Sequence, residues 1–217
     1  MSRNSRRPPA SNSTARFAAG AIAVCGIAGL GIQFSASLDL AGSPEAALWA
    51  MLRYFTVIGN LFAVLVLTGI ALGVRSCSRP QVIGGVTLLM LLIGIVYATL
   101  LRGLLELSGG ARLADTLLHD VMPMLVALHW LLFVRKGGLQ SQDVLKWAII
   151  PLGYFVYAVA RAHFDGQYPY PFMNVAALGW PRTLLNVGVM ALGFLLAGAI
   201  VFWLDQMLGR LSRRDLR

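Results

Sequence analysis

The chain has 217 residues, of which 58% are hydrophobic and only 12% charged, and its mean hydropathy is +0.72. Soluble domains carry about twice that charge, so these figures exclude an ordinary water-soluble enzyme. The formal net charge of +9 sits at the tails and at particular loops, which is a membrane-topology pattern rather than a nucleic-acid surface.

Residues 1–16 are polar and basic, with Pro8, Pro9 and several serines, and read as a disordered tail. The first span covers 17–36. It is longer than the h-region of a signal peptide, about 7–15 residues, and so reads as a retained helix. A loop with Asp39 and Glu45 leads to a second span over 46–74, long enough to tilt. Arg75, Arg79 and Pro80 follow it. The third, fourth and fifth spans are expected over 82–101, 113–134 and 144–162, each near the about 20 residues that cross a bilayer. HFDGQYPYPFMNVAALGWPR then forms a Pro- and aromatic-rich connection with the composition of an interfacial loop. The sixth span covers 183–204, and 208–217 is a basic tail. The fold class is therefore all-α: one polytopic membrane domain, 17–207, with six transmembrane helices.

An even number of spans puts both termini on one side. That side holds 13 of the 18 Lys and Arg residues, counting Arg135, Lys136 and Lys146 at the fourth connection. The positive-inside rule makes it the cytosol. Few Lys and many Arg suggest a bacterial source, hence the inner membrane. Cys25 and Cys77 form no CxxC motif and read as incidental thiols.

Two stretches carry polar groups inside apolar runs. RYFTVIGNLF places Arg53, Thr56 and Asn60 at i, i+3 and i+7, one face of a continuous helix. ADTLLHDVMP places Asp115 and His119 one turn apart, with Asp120 beside them. Polar groups at such positions are costly unless they face protein or water. Counted from the expected span ends, Thr56 lies roughly 15 Å deep and His119 roughly 9 Å deep, both in the outer half. Arg161, His163, Asp165, Arg182 and Asn186 fall at the same level. Taken singly, Thr56 has a backbone partner available in the Leu52 carbonyl, Arg53 can snorkel outward, and Asp115 can sit among headgroups. Arg161 and Arg182 read as interfacial anchors, and His129 as a helix–helix or interfacial hydrogen bond. HExxH, GxSxG and P-loop motifs are absent, and the three histidines lack metal-ligand spacing. No metal or cofactor is expected.

Four pieces together carry a resemblance: RYFTVIGNLF, LLHDVMPMLVALHW, GYFVYAVARAHFDGQYPYPF and the span beginning at Arg182. In their order and spacing the chain resembles the androgen-induced protein family, whose relatives include the androgen-dependent TFPI-regulating proteins. The resemblance covers most of 46–204, and it is nearest to prokaryotic-type members. It implies an intramembrane threonine hydrolase that cleaves fatty acid esters of hydroxy fatty acids, with Thr56 as nucleophile and His119 as its base. One departure stands out: His119 precedes Pro123 by four residues, where the animal members space the pair by five. A one-residue shift turns a helix by about 100°, which a local bulge would restore. On this reading His119 takes the Thr56 proton and returns it to the leaving hydroxyl. Asp115, at i−4, is preferred over Asp120 for orienting the imidazole. Asn60, Asn186 and Arg53 are the candidate oxyanion donors. The partner is a membrane lipid or acyl ester entering sideways from the bilayer. The alternative is a non-catalytic membrane protein, either a small-solute transporter or a structural or assembly partner. A transporter implies polar groups at the midplane and an interrupted helix.

Overall fold

A computed structural model describes residues 13–214; these are almost entirely helical, with no strand among them. In chain order the helices are α1 (Ser13–Ala41), α2 (Pro44–Met51), α3 (Phe55–Ala71), α4 (Pro80–Val96), α5 (Gly109–Thr116), α6 (Met122–Phe133), α7 (Ser141–Asp165) and α8 (Val175–Arg214). A π turn, Tyr97–Leu101, extends α4, and a second, Leu117–Val121, joins α5 to α6 without a break. Five of the resulting helices are long and apolar enough to cross a membrane, and the bent pair α2–α3 makes a sixth if counted as one span. The protein is membrane-integral by this measure. Phe17, Val24, Val156, Leu192 and Leu196 are exposed on the outer faces, where lipid tails are as apolar as they are.

The helix ends differ from those expected. α1 starts at Ser13, so residues 13–16 are helical rather than tail, and α8 continues through most of the stretch read as the C-terminal tail. The remaining tail residues, 1–12 and 215–217, lie outside the described residues. α8 also begins earlier than expected and breaks at Gly179 (φ 71°, ψ 162°), just before Pro181.

The second span is the main correction. It is not one tilted helix over 46–74: α2 and α3 meet at 95° across Leu52–Tyr54. Tyr54 is extended, at φ −93° and ψ 131°. A break in a membrane helix leaves carbonyls that must find other donors, and α7 supplies them. The Tyr154 hydroxyl donates to the Arg53 carbonyl at 2.7 Å, and the Tyr157 hydroxyl donates to the Leu52 carbonyl at 3.0 Å. Arg161 donates to the Trp49 carbonyl and lies 3.9 Å over the Trp49 ring. It is buried, so it is not the interfacial anchor that its place in the sequence suggests. Asp165 closes the set by pairing with Arg53 at 3.0 Å and with Arg161 at 3.4 Å.

Helices α1, α3, α4 and α6 form the centre. Leu67, Leu88, Leu89, Met90, Met122 and Val126 are nearly inaccessible there. α1 reaches the second π turn because Gly29 has no side chain; a Cβ would come within 2.9 Å of Leu118. His129 is buried and its Nε2 lies 3.2 Å from the Ala15 carbonyl, a helix–helix bond between α6 and α1. At the far end, the carboxylate of Asp205 accepts from the backbone N–H groups of Gly137 and Leu139 at 2.9 and 3.0 Å and ties α8 to the α6–α7 connection.

Asp165 serves two buried guanidinium groups at once, and removing one member of a buried ion cluster leaves charge uncompensated. Asp165→Ala is expected to cost about 3–5 kcal/mol of stability, read as a lowered melting temperature of the detergent-solubilised protein, with Asp165→Glu retaining most of it.

Candidate active site

The break puts Thr56 in the first turn of α3 rather than ten residues into a straight helix. Its hydroxyl does not turn back to the Leu52 carbonyl, which Tyr157 occupies. Instead Thr56 Oγ1 lies 3.0 Å from His119 Nε2. On the other side of the ring, His119 Nδ1 is 3.0 Å from both the Asp115 carboxylate and the Asp115 carbonyl. With both acceptors at Nδ1, the proton belongs there, and the Nε2 lone pair faces the threonine hydroxyl. Thr56, His119 and Asp115 thus form a continuous hydroxyl–imidazole–carboxylate chain, with His119 and Asp115 each 17% exposed.

Proline explains much of the local geometry. Pro123 has no N–H to give to the turn before it. The Met122 N–H passes over Leu118 and bonds the Leu117 carbonyl, a π-type bond. The Leu118 carbonyl freed by this shift accepts from Asn60 Nδ2 at 3.2 Å, and the same nitrogen donates to the Thr56 carbonyl at 2.9 Å. The side chain of a fully buried asparagine therefore holds the His119 turn against the Thr56 turn. Gly94 on α4 completes the seat, since a Cβ there would lie 3.2 Å from Pro123 and 3.4 Å from the His119 carbonyl. The helix departs from α geometry at the very segment where the His119–Pro123 spacing differs from that of the resembled family.

Several expected roles change. Asn60 is not free to bind an oxyanion, because both of its amide bonds are structural. Asn186 donates to the Phe172 carbonyl at 3.0 Å and anchors the α7–α8 connection. Arg53 lies before α3 begins, off the face shared by Thr56 and Asn60, and is neutralised by Asp165. Asp120 turns away from His119 and pairs with Arg102. His163 and Arg182 are exposed and outside the cluster.

Two tyrosines enter that the sequence did not single out. Tyr97, in the π turn after α4, donates its hydroxyl to the second Asp115 oxygen and stacks on the His119 ring with centroids 4.1 Å apart. From its place at a span end it reads only as an interfacial aromatic. Tyr170 comes from the GQYPYPF connection, which folds inward rather than lying along the interface. Its phenol meets the side chain of Thr56, the backbone of Phe55 and Thr56, and the Tyr154 hydroxyl, and its burial raises the phenol's pKa. Tyr170 therefore stays neutral, a donor.

Thr56 opens onto a cavity of about 130 Å³ that is partly open to the outside. Phe55, Tyr154, Tyr170 and Phe172 form the end near Thr56, and Leu92, Ala148 and Leu195 lie further along it. From Val187 to Leu195 on α8 the lining runs about 12 Å at the α-helical rise. Apart from the Thr56, Tyr154 and Tyr170 hydroxyls, the lining side chains are apolar. No group of three or more His, Cys, Asp and Glu residues among the described residues is placed to hold a metal ion.

No protein-family model, curated protein or solved structure matches the chain. Function rests on the site itself.

Asn60→Leu keeps the volume of Asn60 but strips the Leu118 carbonyl of its donor. A buried acceptor left unmade costs about 1–3 kcal/mol. The variant is expected to melt lower by that amount and to lose the register between Thr56 and His119, seen as loss of the Thr56 adduct described below.

Proposed function

We propose that this protein is an intramembrane ester hydrolase that cleaves acyl esters of membrane lipids, fatty acid esters of hydroxy fatty acids among them, through Thr56 and His119. The observation that carries the reading is the 3.0 Å contact between Thr56 Oγ1 and His119 Nε2 at the head of an apolar cavity, with Asp115 on the opposite ring nitrogen. A threonine hydroxyl is a weak nucleophile until a base takes its proton. The resemblance of the four sequence pieces to the androgen-induced protein family supports the same residues and the same substrate class.

In this mechanism the acyl chain lies in the cavity, with its ester carbon at Thr56. His119 accepts the Thr56 proton as Oγ1 attacks, then gives it to the departing alkoxide. Asp115 holds the imidazole in the tautomer that can do this and stabilises the imidazolium between the two transfers. Tyr97 holds Asp115. Water then repeats the cycle on the acyl-Thr56 ester and releases the fatty acid.

We place the chain with six crossings, α2 and α3 together making the second, and with both termini in the cytosol of a bacterial inner membrane. The distribution of Lys and Arg supports that orientation. The Thr56 end of α3 then faces the outer side.

One observation favours the transporter alternative: the second span is interrupted. The interruption sits at the head of α3, however, and the Leu52 and Arg53 carbonyls that a transporter would offer to an ion are bonded to Tyr157 and Tyr154.

Treatment of the solubilised protein with a fluorophosphonate is expected to give one adduct by intact mass. Thr56→Ala and His119→Ala are expected to give none while melting cooperatively. Asp115→Asn, which reverses the tautomer preference, is expected to slow labelling by about 10³–10⁴-fold. A folded wild type that takes no adduct would move the protein to the non-catalytic class. For orientation, a green fluorescent protein fused after Arg217 is expected to fluoresce, and a periplasm-dependent phosphatase at the same place to stay inactive.

A further inference from the structure

We infer that Tyr170 is a catalytic residue, the side-chain donor that holds the ester carbonyl oxygen as it becomes an oxyanion; the inference rests on the ester-hydrolase reading. Acyl transfer needs a donor at that oxygen, and the side chains that the sequence offered for it are committed elsewhere: Asn60 to the Leu118 and Thr56 carbonyls, Asn186 to the Phe172 carbonyl, Arg53 to Asp165.

Three hydroxyls face the cavity: Thr56, Tyr154 and Tyr170. Thr56 points its proton at His119, and Tyr154 gives its own to the Arg53 carbonyl. Tyr170 lines the same end of the cavity as both, its ring 6.5 Å from that of Tyr154 and its phenol against the Thr56 side chain. The backbone of Phe55 and Thr56, in the first turn of α3, faces the same phenol oxygen. N–H groups in the first turn of a helix have no acceptor within it. The Tyr170 O–H and the first-turn N–H groups of α3 thus border the end of the cavity at which an ester carbonyl attacked by Thr56 would lie.

The step balances without a co-reactant. The Thr56 O–H proton passes to His119 Nε2 and the Oγ1–C bond forms. The carbonyl π pair moves onto oxygen, where Tyr170 donates a hydrogen bond and keeps its proton. Collapse of the adduct breaks the bond to the leaving oxygen, which takes the proton from His119.

The ring is held independently of its hydroxyl. It stacks on Phe172 with centroids 5.2 Å apart and meets Tyr54 edge-on at 6.1 Å. Tyr170→Phe should therefore fold as the wild type does. Tyr168→Phe, outside the cavity, removes one hydroxyl from the same α7–α8 connection and serves as the control.

The experiment measures the second-order rate of fluorophosphonate labelling, whose phosphoryl oxygen stands in for the oxyanion, together with kcat and KM on p-nitrophenyl octanoate. In Tyr170→Phe, labelling and kcat are expected to fall about 10²–10³-fold with KM little changed, and in Tyr168→Phe by no more than a few-fold. Labelling of Tyr170→Phe at the wild-type rate, or a loss confined to KM or matched by Tyr168→Phe, would overturn the role of Tyr170 while leaving Thr56 as nucleophile. A folded wild type that takes no adduct and turns over no ester would overturn the underlying reading, and this inference with it.

Discussion

The structure depends on how one break in a membrane helix is satisfied. Backbone carbonyls in lipid have no water to turn to, and each one left unmade is expensive. At Leu52 and Arg53 the chain leaves helical geometry, and both carbonyls are taken by tyrosines of α7. That exchange does two things at once. It fixes α7 against the α2–α3 corner, with Arg53, Arg161 and Asp165 as the charged part of the joint. It also makes Phe55 and Thr56 the start of a helix, with N–H groups that have no acceptor inside the helix and a hydroxyl at the head of the cavity. A straight second span would have put Thr56 mid-helix, its amide bonded four residues back and its hydroxyl turned to its own backbone.

The partner of Thr56 is set by a second backbone irregularity of the same kind. Pro123 cannot donate to the turn that carries His119, and the chain answers with a π turn whose spare carbonyl is taken by Asn60. Proline, π turn and asparagine thus form one device, and its product is the register between two helices. Tyr97 sits in the other π turn and meets His119 ring to ring. Both π turns among the described residues border the same imidazole, in keeping with the tendency of π-bulges to occur at functional sites.

What the sequence made legible, and what it did not, follows from these two irregularities. The all-helical membrane class was readable from composition and run lengths, because apolar runs of span length have few other uses. The alignment of Asp115 with His119 was readable too, because an i, i+4 pair stays on one face through a π turn as through an α turn. The stripe of Arg53, Thr56 and Asn60 was half readable. Thr56 and Asn60 lie on α3 and act together, but Arg53 lies beyond the break, so a face defined by continuous periodicity did not include it. No proline or glycine marks that break. What satisfies it is a set of long-range bonds from α7, about 100 residues away along the chain. Asn60 and Asn186 were misassigned for a related reason. An asparagine in a membrane helix announces an unmet hydrogen bond somewhere near it, and sequence spacing does not say whether that bond belongs to a substrate or to a displaced backbone carbonyl. Tyr170 was hidden because Pro- and Tyr-rich connections have the composition of interfacial loops even when they fold inward.

The depth of the site bears on the chemistry proposed for it. Hydrolysis of a lipid ester needs an apolar slot for the chain and water for the second half of the reaction, two demands that conflict anywhere inside a bilayer. The head of α3 reconciles them. Below Thr56 the cavity wall is Leu92, Ala148 and Leu195, side chains that give water nothing to bond to. Above it are partly exposed carboxylates, Asp115 and Asp120, which keep that end polar. Thr56 lies at the boundary, which the break in the second span places near the helix end. A nucleophile at the midplane would hold the acyl chain equally well, but its acyl-enzyme would wait for water.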